Sequence, residues 1–567
     1  MVDDPDFRTW REREAAAEPL GAELDPRRDA VPGVTAFGTV YVRGQLIISG
    51  ETDAALSSLR DAGAELGWDV EPETIRDGDR RLTRARIVQA PQKRLDDEPV
   101  PQVDAWRLLQ QARRRILERR LLQGGRTRGI ATGQDADATA EAKRQVSLAA
   151  SRSLDPGAAP RDFAEEHAII AGDSTLRGVG LDHVLYVDPI GLNPHGRTNP
   201  HGRTNPHGRT NPHGRTNPAG VDGYAYAGTG GLEVVDFVGA RPARTKTLSP
   251  SGRRPVVAFL DTGCGTHRWL LDEDDDPVVR HVDLAPGQVI GVDDPTTDPE
   301  VYGDQAGPRD GFLDDAAGHG TFVAGIIRQA CPEADLIAIR VADSNGTVIE
   351  HEFIAAIEEL AEWVAAGNPV DVVNLSLGYY HETPEDGLFS TRLYDALRDL
   401  RAHGVVVVCS AGNDATDRPT FPAALYDWGD ADLGLKDEDS LARHVAVGAL
   451  NPQHTSLALY SNLGAWVTTY APGTSVLSIF PALKGGVQAG STADLYQRRR
   501  QSLDPDDYSG GFAIWSGTSF ASPYVAGRIA ADLADDLMNG SAKAATSARV
   551  AQTLSALAAE DASRIGS

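Results

Sequence analysis

Cysteine is scarce in this sequence, long apolar runs are missing and positive charge is in deficit, and each shortage closes a class of function. Three cysteines, Cys264, Cys331 and Cys409, stand among 567 residues, too few and too oddly numbered for a disulfide framework. All lie in or beside apolar stretches and are expected to be buried thiols rather than nucleophiles or ligands. No run of about 18 apolar residues occurs, so no membrane-spanning helix is expected. The opening Met1-Val2-Asp3-Asp4-Pro5-Asp6 is acidic, with no following apolar run to serve as a signal-peptide core. A cytoplasmic location is therefore expected, with non-classical export as the alternative. Basic residues number 55 against 82 acidic, a net charge of -27, and that field repels nucleic acid and anionic membranes. His-Glu-x-x-His is absent and gives catalytic zinc no support. The acidic run 272–276 reads as a solvated loop rather than a calcium site.

What is present is the composition of a globular protein, 41% apolar and 24% charged, long enough for two or more domains. A hexapeptide, Asn-Pro-His-Gly-Arg-Thr, repeats in tandem from Asn193 to Thr216. With proline and glycine in every repeat and no large apolar side chain, it predicts a linker over residues 191–220. Before it, residues 1–190 hold a small α/β unit at about 35–95. There Thr39 to Ser49 alternates as a strand, and Asp53 to Gly67 has helical spacing. Asp104 is placed to cap an arginine-rich helix that runs to about Gln123 and stops at Gly124-Gly125. Its Arg113, Arg114, Arg115, Arg119 and Arg120 form either a solvated basic face or a surface for the other domain. From Ala131 to about Glu166 the scarcity of large apolar residues predicts a mobile stretch.

After the linker, residues 221–540 alternate β-branched runs (Val256–Leu260, Leu336–Val341, Val370–Leu375, Val405–Cys409, His444–Gly448, Val476–Phe480) with helical patterns near 351–366, 389–402 and 520–537. This reads as an α/β domain on a largely parallel sheet, followed by a helical tail over 541–567. Function in such sheets sits at the carboxyl ends of the strands. Three segments there end a predicted strand or open a predicted helix with residues that a hydrolase needs. Val256 to Gly263 delivers Asp261 at a strand end, Gly318-His319-Gly320-Thr321 opens a helix with an imidazole, and Ser516 to Pro523 sets Ser519 at a helix amino end that favours an oxyanion. Singly, each is unspecific: an Asp-Thr-Gly without its second copy, a turn, a cap.

Together, in the order Asp, His, Ser, these motifs resemble the subtilisin-like serine peptidases. Gly517-Thr518-Ser519-Phe520-Ala521-Ser522-Pro523 fits that family's Gly-Thr-Ser-x-Ala-x-Pro. The resemblance, from about Val256 to Arg528, implies a three-layer α/β fold and a serine endopeptidase acting on polypeptide through an acyl-enzyme. It implies Asp261, His319 and Ser519 as the triad and Asn413, in Ser410-Ala411-Gly412-Asn413, as the oxyanion donor. It also implies Ser376, Leu377 and Gly378 as the strand to which substrate adds, with Ala411 and Gly412 beside the pocket. No cofactor and no metal are implied. Phe322 stands where many members have a second histidine, and Tyr379 and Tyr380 where a small residue is common, which predicts a narrower pocket rim. The N-terminal region is expected to inhibit or regulate, released by cleavage near the repeats, or else to dock another protein. The alternative of another class is a scaffold that has kept the fold without activity. An α/β-hydrolase esterase would need Gly-x-Ser-x-Gly, which does not occur.

Overall fold

The computed structural model describes residues 21–76, 81–90, 100–127, 135–155, 157–187, 231–271, 277–306, 311–383, 392–426, 438, 440–486, 489–493, 496, 498–540 and 549–557. The hexapeptide repeats, the acidic run 272–276 and the first 20 residues lie outside them.

The N-terminal part contributes strands β1 (Ala22–Glu23), β2 (Val40–Ser49), β3 (Trp68–Arg76), β4 (Leu82–Gln89) and β5 (Val179–Val187). Helix α1 (Asp53–Leu66) stops where Gly67 takes a left-handed φ of 76°, free to do so for want of a Cβ. Helix α2 (Ala105–Thr127) starts behind Asp104, whose Oδ1 accepts the Arg107 N–H at 3.0 Å. It runs through Gly124-Gly125 instead of stopping there, since glycine costs a helix only about 1 kcal/mol per residue relative to alanine.

Much of the described part of the stretch expected to be mobile is helical instead. It holds α3 (Asp135–Ser153) and α4 (Ala164–Gly172). Alanine favours helix and allows close approach, and Ala142, Val146 and Ala149 are buried, Val146 in a cluster with Leu117 of α2, Val31 and Ile170. Three of the five arginines named on α2 bind close to home, while Arg119 and Arg120 are exposed. Arg114 donates to Ala30 O at 3.1 Å, Arg115 pairs with Asp61 at 3.3 Å and with Glu65, and Arg113 is buried with its guanidinium over the Trp106 ring.

The second part begins with β6 (Glu233–Val234) and continues through β7 (Val256–Asp261), β8 (Val278–Val279), helix α5 (His319–Ala330), β9 (Asp335–Arg340), β10 (Thr347–Ile349) and helix α6 (Glu350–Ala365). Then come β11 (Val372–Leu375), β12 (Leu377–Gly378), α7 (Arg392–Ala402), β13 (Val406–Ser410), β14 (His444–Leu450), β15 (Thr469–Pro472), β16 (Val476–Ile479), β17 (Phe512–Trp515) and α8 (Thr518–Met538). Seven strands form a parallel sheet in the order β15-β14-β13-β11-β7-β9-β8. β16 is not among them; it pairs antiparallel with β17, which pairs with β6.

Strand alternation sorts the core into two layers. Val257 and Phe259 of β7 face Val323, Ala324 and Ile327 of α5 and Ala521, Val525 and Ile529 of α8. Ala258 and Leu260 face Phe353, Ile354 and Ile357 of α6 and Leu393, Leu397 and Leu400 of α7. The result is a three-layer α/β fold. All three cysteines are buried and free, and burial pushes the Cys331 thiol up to about 11. No helix among the described residues is long and apolar enough to cross a membrane.

The two parts share a second sheet, of order β10-β5-β2-β4-β3, with β1 on β2 and β12 on β5. One of its faces, through Leu46 and Ile48, is covered by α1 and α2. Ile47 and Leu82, on the other, join the cluster that contains Phe353 and Ile357 of α6.

Candidate active site

β7 ends in Asp261 and α5 begins with His319, and both side chains are wholly buried. His319 Nδ1 lies 2.8 Å from Asp261 Oδ1, which also accepts the Thr262 N–H at 2.8 Å. The glycines around His319 answer to crowding. A Cβ on Gly320 would lie 2.0 Å from Gly263 O, so the aspartate and histidine segments cross with backbones touching. Gly318, with φ of 79°, caps the helix where a Cβ would lie 2.7 Å from the Phe480 ring.

A carboxylate that the sequence reading missed joins the same two segments. Glu300, buried, accepts at 2.6 Å from Thr262 Oγ1, at 2.5 Å from Thr321 Oγ1, and at 3.2 and 3.3 Å from the N–H groups of Gly320 and Thr321. It therefore meets the amino end of α5, where backbone N–H groups lack helical partners. Burial pushes its carboxyl up to about 7, against the pull of the Thr262 and Thr321 hydrogen bonds.

Ser519 is the second residue of α8 and is wholly buried. Its hydroxyl donates to Ser376 O at 3.3 Å, and no bond joins it to His319, whose buried Nε2 is without a hydrogen-bond partner among the described residues. Pro523 explains the neighbouring contact. Lacking an N–H, it cannot bond the carbonyl four residues back, which is that of Ser519, and the Ser376 hydroxyl fills the vacancy at 2.9 Å. Ser376 Oγ in turn accepts from Asn374 Nδ2 at 2.9 Å.

Asn413 follows β13. Its Oδ1 accepts the Thr518 N–H at 2.9 Å and the Thr518 hydroxyl at 3.0 Å, so the oxygen end of the amide faces the start of α8. Gly412 donates its N–H to Thr518 Oγ1 at 3.0 Å, and Ala411 N–H is held by Val447 O at 2.9 Å. The structure thus gathers Ser376, Gly412, Asn413, Thr518 and Ser519 into one hydrogen-bonded group, and Asp261 and His319 into another. The two meet through aromatic packing, with the His319 ring 5.1 Å from Phe520 and 5.7 Å from Trp515.

The family model described as "Subtilase family" matches residues 252–562, more than half of the chain. The chain belongs to the subtilase family. An intracellular serine protease of Paenibacillus polymyxa is 29% identical over 298 residues, covering 49% of this chain and 66% of that protein. The major intracellular serine protease of Bacillus subtilis (strain 168) is 28% identical over 260 residues, covering 42% of this chain and 65% of that protein. The chain therefore spans slightly under two thirds of the length of these relatives. The solved structure of a cold-adapted subtilisin-like serine proteinase is similar at 22% identity and a TM-score of 0.30, over 54% of this chain and 87% of that one.

In this subtilase the strand expected to receive substrate already has a neighbour. β12, with Leu377 and Gly378, pairs antiparallel with Val187 and Tyr186 of β5. The other edge of β5 is held by β10, where Val184, Leu185 and Tyr186 face Ile349, Val348 and Thr347, and the Val187 N–H reaches Gly346 O at 2.7 Å. Phe322, in place of a second histidine, lies 4.6 Å from the Phe520 ring and 5.8 Å from Trp515 and fills an aromatic cluster beside His319. Tyr379 and Tyr380 are both buried. Tyr379 stacks on His183 of β5 at 4.5 Å, and the Tyr380 hydroxyl donates to Asp414 at 2.5 Å.

Proposed function

We propose that this subtilase is a serine endopeptidase whose own N-terminal region holds it latent. In this reading Ser519 attacks the peptide carbonyl, and His319 takes its proton and returns it to the leaving amine. Asp261 keeps the imidazole protonated at Nδ1 so that Nε2 can act as base. Asn413 and the Ser519 N–H stabilise the oxyanion at the amino end of α8. The observation that carries the reading is the buried 2.8 Å bond between His319 Nδ1 and Asp261, with Nε2 left unpartnered among the described residues. The bond from the Ser519 hydroxyl to Ser376 O is the one an incoming peptide would displace. A strand laid along Ser376–Gly378 competes for that carbonyl with its own N–H and frees the hydroxyl for His319.

Latency is supported by the position of β5. A peptide binding by strand addition needs the edges of β12 and β10, and β5 occupies both. Residues 1–190 are then a regulatory region, the hexapeptide repeats a linker, and cleavage at their arginines a first step toward its removal, which is complete only when the nicked region is itself degraded. Leu377 and Gly378 would pair with substrate, and Ala411 and Gly412 would border its pocket. A cytoplasmic location is supported by the two relatives named as intracellular proteases.

Casein digestion by the purified chain before and after removal of the N-terminal region, with Ser519→Ala alongside, tests this. Digestion that appears on removal and never in Ser519→Ala is expected. Casein left intact by the trimmed, folded wild type would leave a scaffold that has kept the fold without the chemistry.

A further inference from the structure

β5 brings a buried charge into the second part of the chain. His183, at its centre, is 1% exposed, with Nδ1 2.6 Å from Glu350 Oε2 and Nε2 2.7 Å from Glu382 Oε2, both carboxylates buried as well. With a carboxylate at each nitrogen the ring donates twice and is an imidazolium. Glu350 opens α6 and takes the Tyr379 hydroxyl at 2.9 Å on its other oxygen. The surrounding charged and titratable groups are accounted for. His381 has its ring 4.8 Å from His183 and its Nδ1 accepting the Thr383 N–H. Asp182 is bound by His351 Nδ1 at 2.7 Å and Gln45 Nε2 at 2.6 Å. Arg418 donates to Gly38 O and His381 O, and the charge of Arg113 reaches His381. Burial works against the charged imidazole, yet the two carboxylates hold it up to about 10. Glu382, in spite of its burial, stays well below the usual carboxylate range beside His381 and His183.

We infer that His183, Glu350 and Glu382 form a clasp that seats β5 in the groove and gives the N-terminal region its advantage over a competing peptide. This rests on reading β5 as the occupant of the substrate groove. The backbone ladders of β5 can be replaced by those of any extended peptide, so they discriminate little. The clasp cannot be replaced that way: a peptide without a cation at this position leaves the Glu350 and Glu382 carboxylates without the imidazolium between them, Glu350 with the Tyr379 hydroxyl and Glu382 with His381 Nδ1 at 3.3 Å as their remaining side-chain neighbours. A metal held by His183, His381 and Glu382, whose donor atoms lie within 4.8 Å of one another, would have to displace bonds already made at both His183 nitrogens and at His381 Nδ1.

The test follows amide hydrogen exchange in β5 and in core strand β7 of the full-length chain, together with the rate at which a fluorophosphonate labels Ser519. His183→Gln is expected to speed exchange in β5 by about tenfold or more, with β7 still protected, and to speed labelling. Faster β5 exchange without faster labelling would keep the clasp and sink the reading of β5 as the occupant of the substrate groove. Unchanged β5 exchange in a folded variant would overturn the clasp, whatever labelling does. If His183→Gln loses protection in β7 too, Glu382→Gln repeats the test with smaller disturbance, and loss of β7 protection there as well would overturn the clasp. Deprotection of β5 in the wild type by a chelator alone would replace the clasp with a metal.

Discussion

Glu300 is where the chemistry of one residue reaches furthest, because it ties the loop after Asp261 to the first turn of the helix that carries His319. Its carboxyl titrates near 7 instead of 4.5, so the folded chain holds that proton more tightly than the unfolded chain does. The stability this gives is fully present below pH 4.5 and is lost as pH rises through 7, on the order of 3 kcal/mol in all. Urea midpoints compared at pH 5 and pH 8 should show a smaller fall for Glu300→Gln than for the wild type; identical falls would remove Glu300 as the cause. Asn413→Ala, assayed in the active form, should lower kcat by about 10²–10³ with a much smaller change in KM, the loss known for such donors in this family of enzymes. The triad candidates and Asn413 could be named from the sequence because each stands in a short motif, Asp261-Thr262-Gly263, Gly318-His319-Gly320-Thr321, Ser410-Ala411-Gly412-Asn413 or Gly517-Thr518-Ser519, whose pattern is itself the signal. Glu300 had no such frame. Its partners are threonines 38 and 21 residues away, and only folding brings them together.

At the scale of elements, the junction of β11, β12 and α8 depends on a missing donor. Pro523 withholds an N–H from the Ser519 carbonyl, and Ser376 supplies the replacement. Ser376→Ala should therefore leave a buried carbonyl unpaired and cost about 1–3 kcal/mol. Pro523→Ala, by restoring the helical N–H, should recover much of that loss in the double variant. Thermal melts of the two single variants and the double close the cycle, and strict additivity would refute the coupling. The core strands were readable from their β-branched runs, and β7 shows why: every residue is buried, so no alternation was needed to find it. Two elements were misread on physical grounds. β16 looks like a buried parallel strand in sequence, but its partner β17 runs antiparallel, and a run of apolar residues does not encode direction. Residues 135–153 look too poor in large side chains to pack, yet alanine and valine suffice where a helix lies close to its neighbour.

At the scale of the whole molecule, the sequence suggested two parts joined by a linker and gave no sign that they share a sheet. Strand pairing between residues 179–187 and residues 347–349 or 377–378 is a matter of backbone edges, which carry no sequence signature. The buried partners of His183 are equally silent in the sequence, since each is one ordinary glutamate. Because the shared sheet and the Ile47 and Leu82 face both bind the parts together, cutting at the arginines of the hexapeptide repeats should not separate the fragments. Gel filtration of the nicked protein should give one peak containing both, and two peaks would contradict the shared sheet.

The measurement that bears most directly on the central claim is fluorophosphonate labelling of wild type and Ser519→Ala, with chain length read on the same gel. Labelling confined to the wild type, weak at full length and strong once the N-terminal region is gone, is the expected result. A wild-type chain that stays unlabelled after that region has been removed, while still folded, would contradict the account.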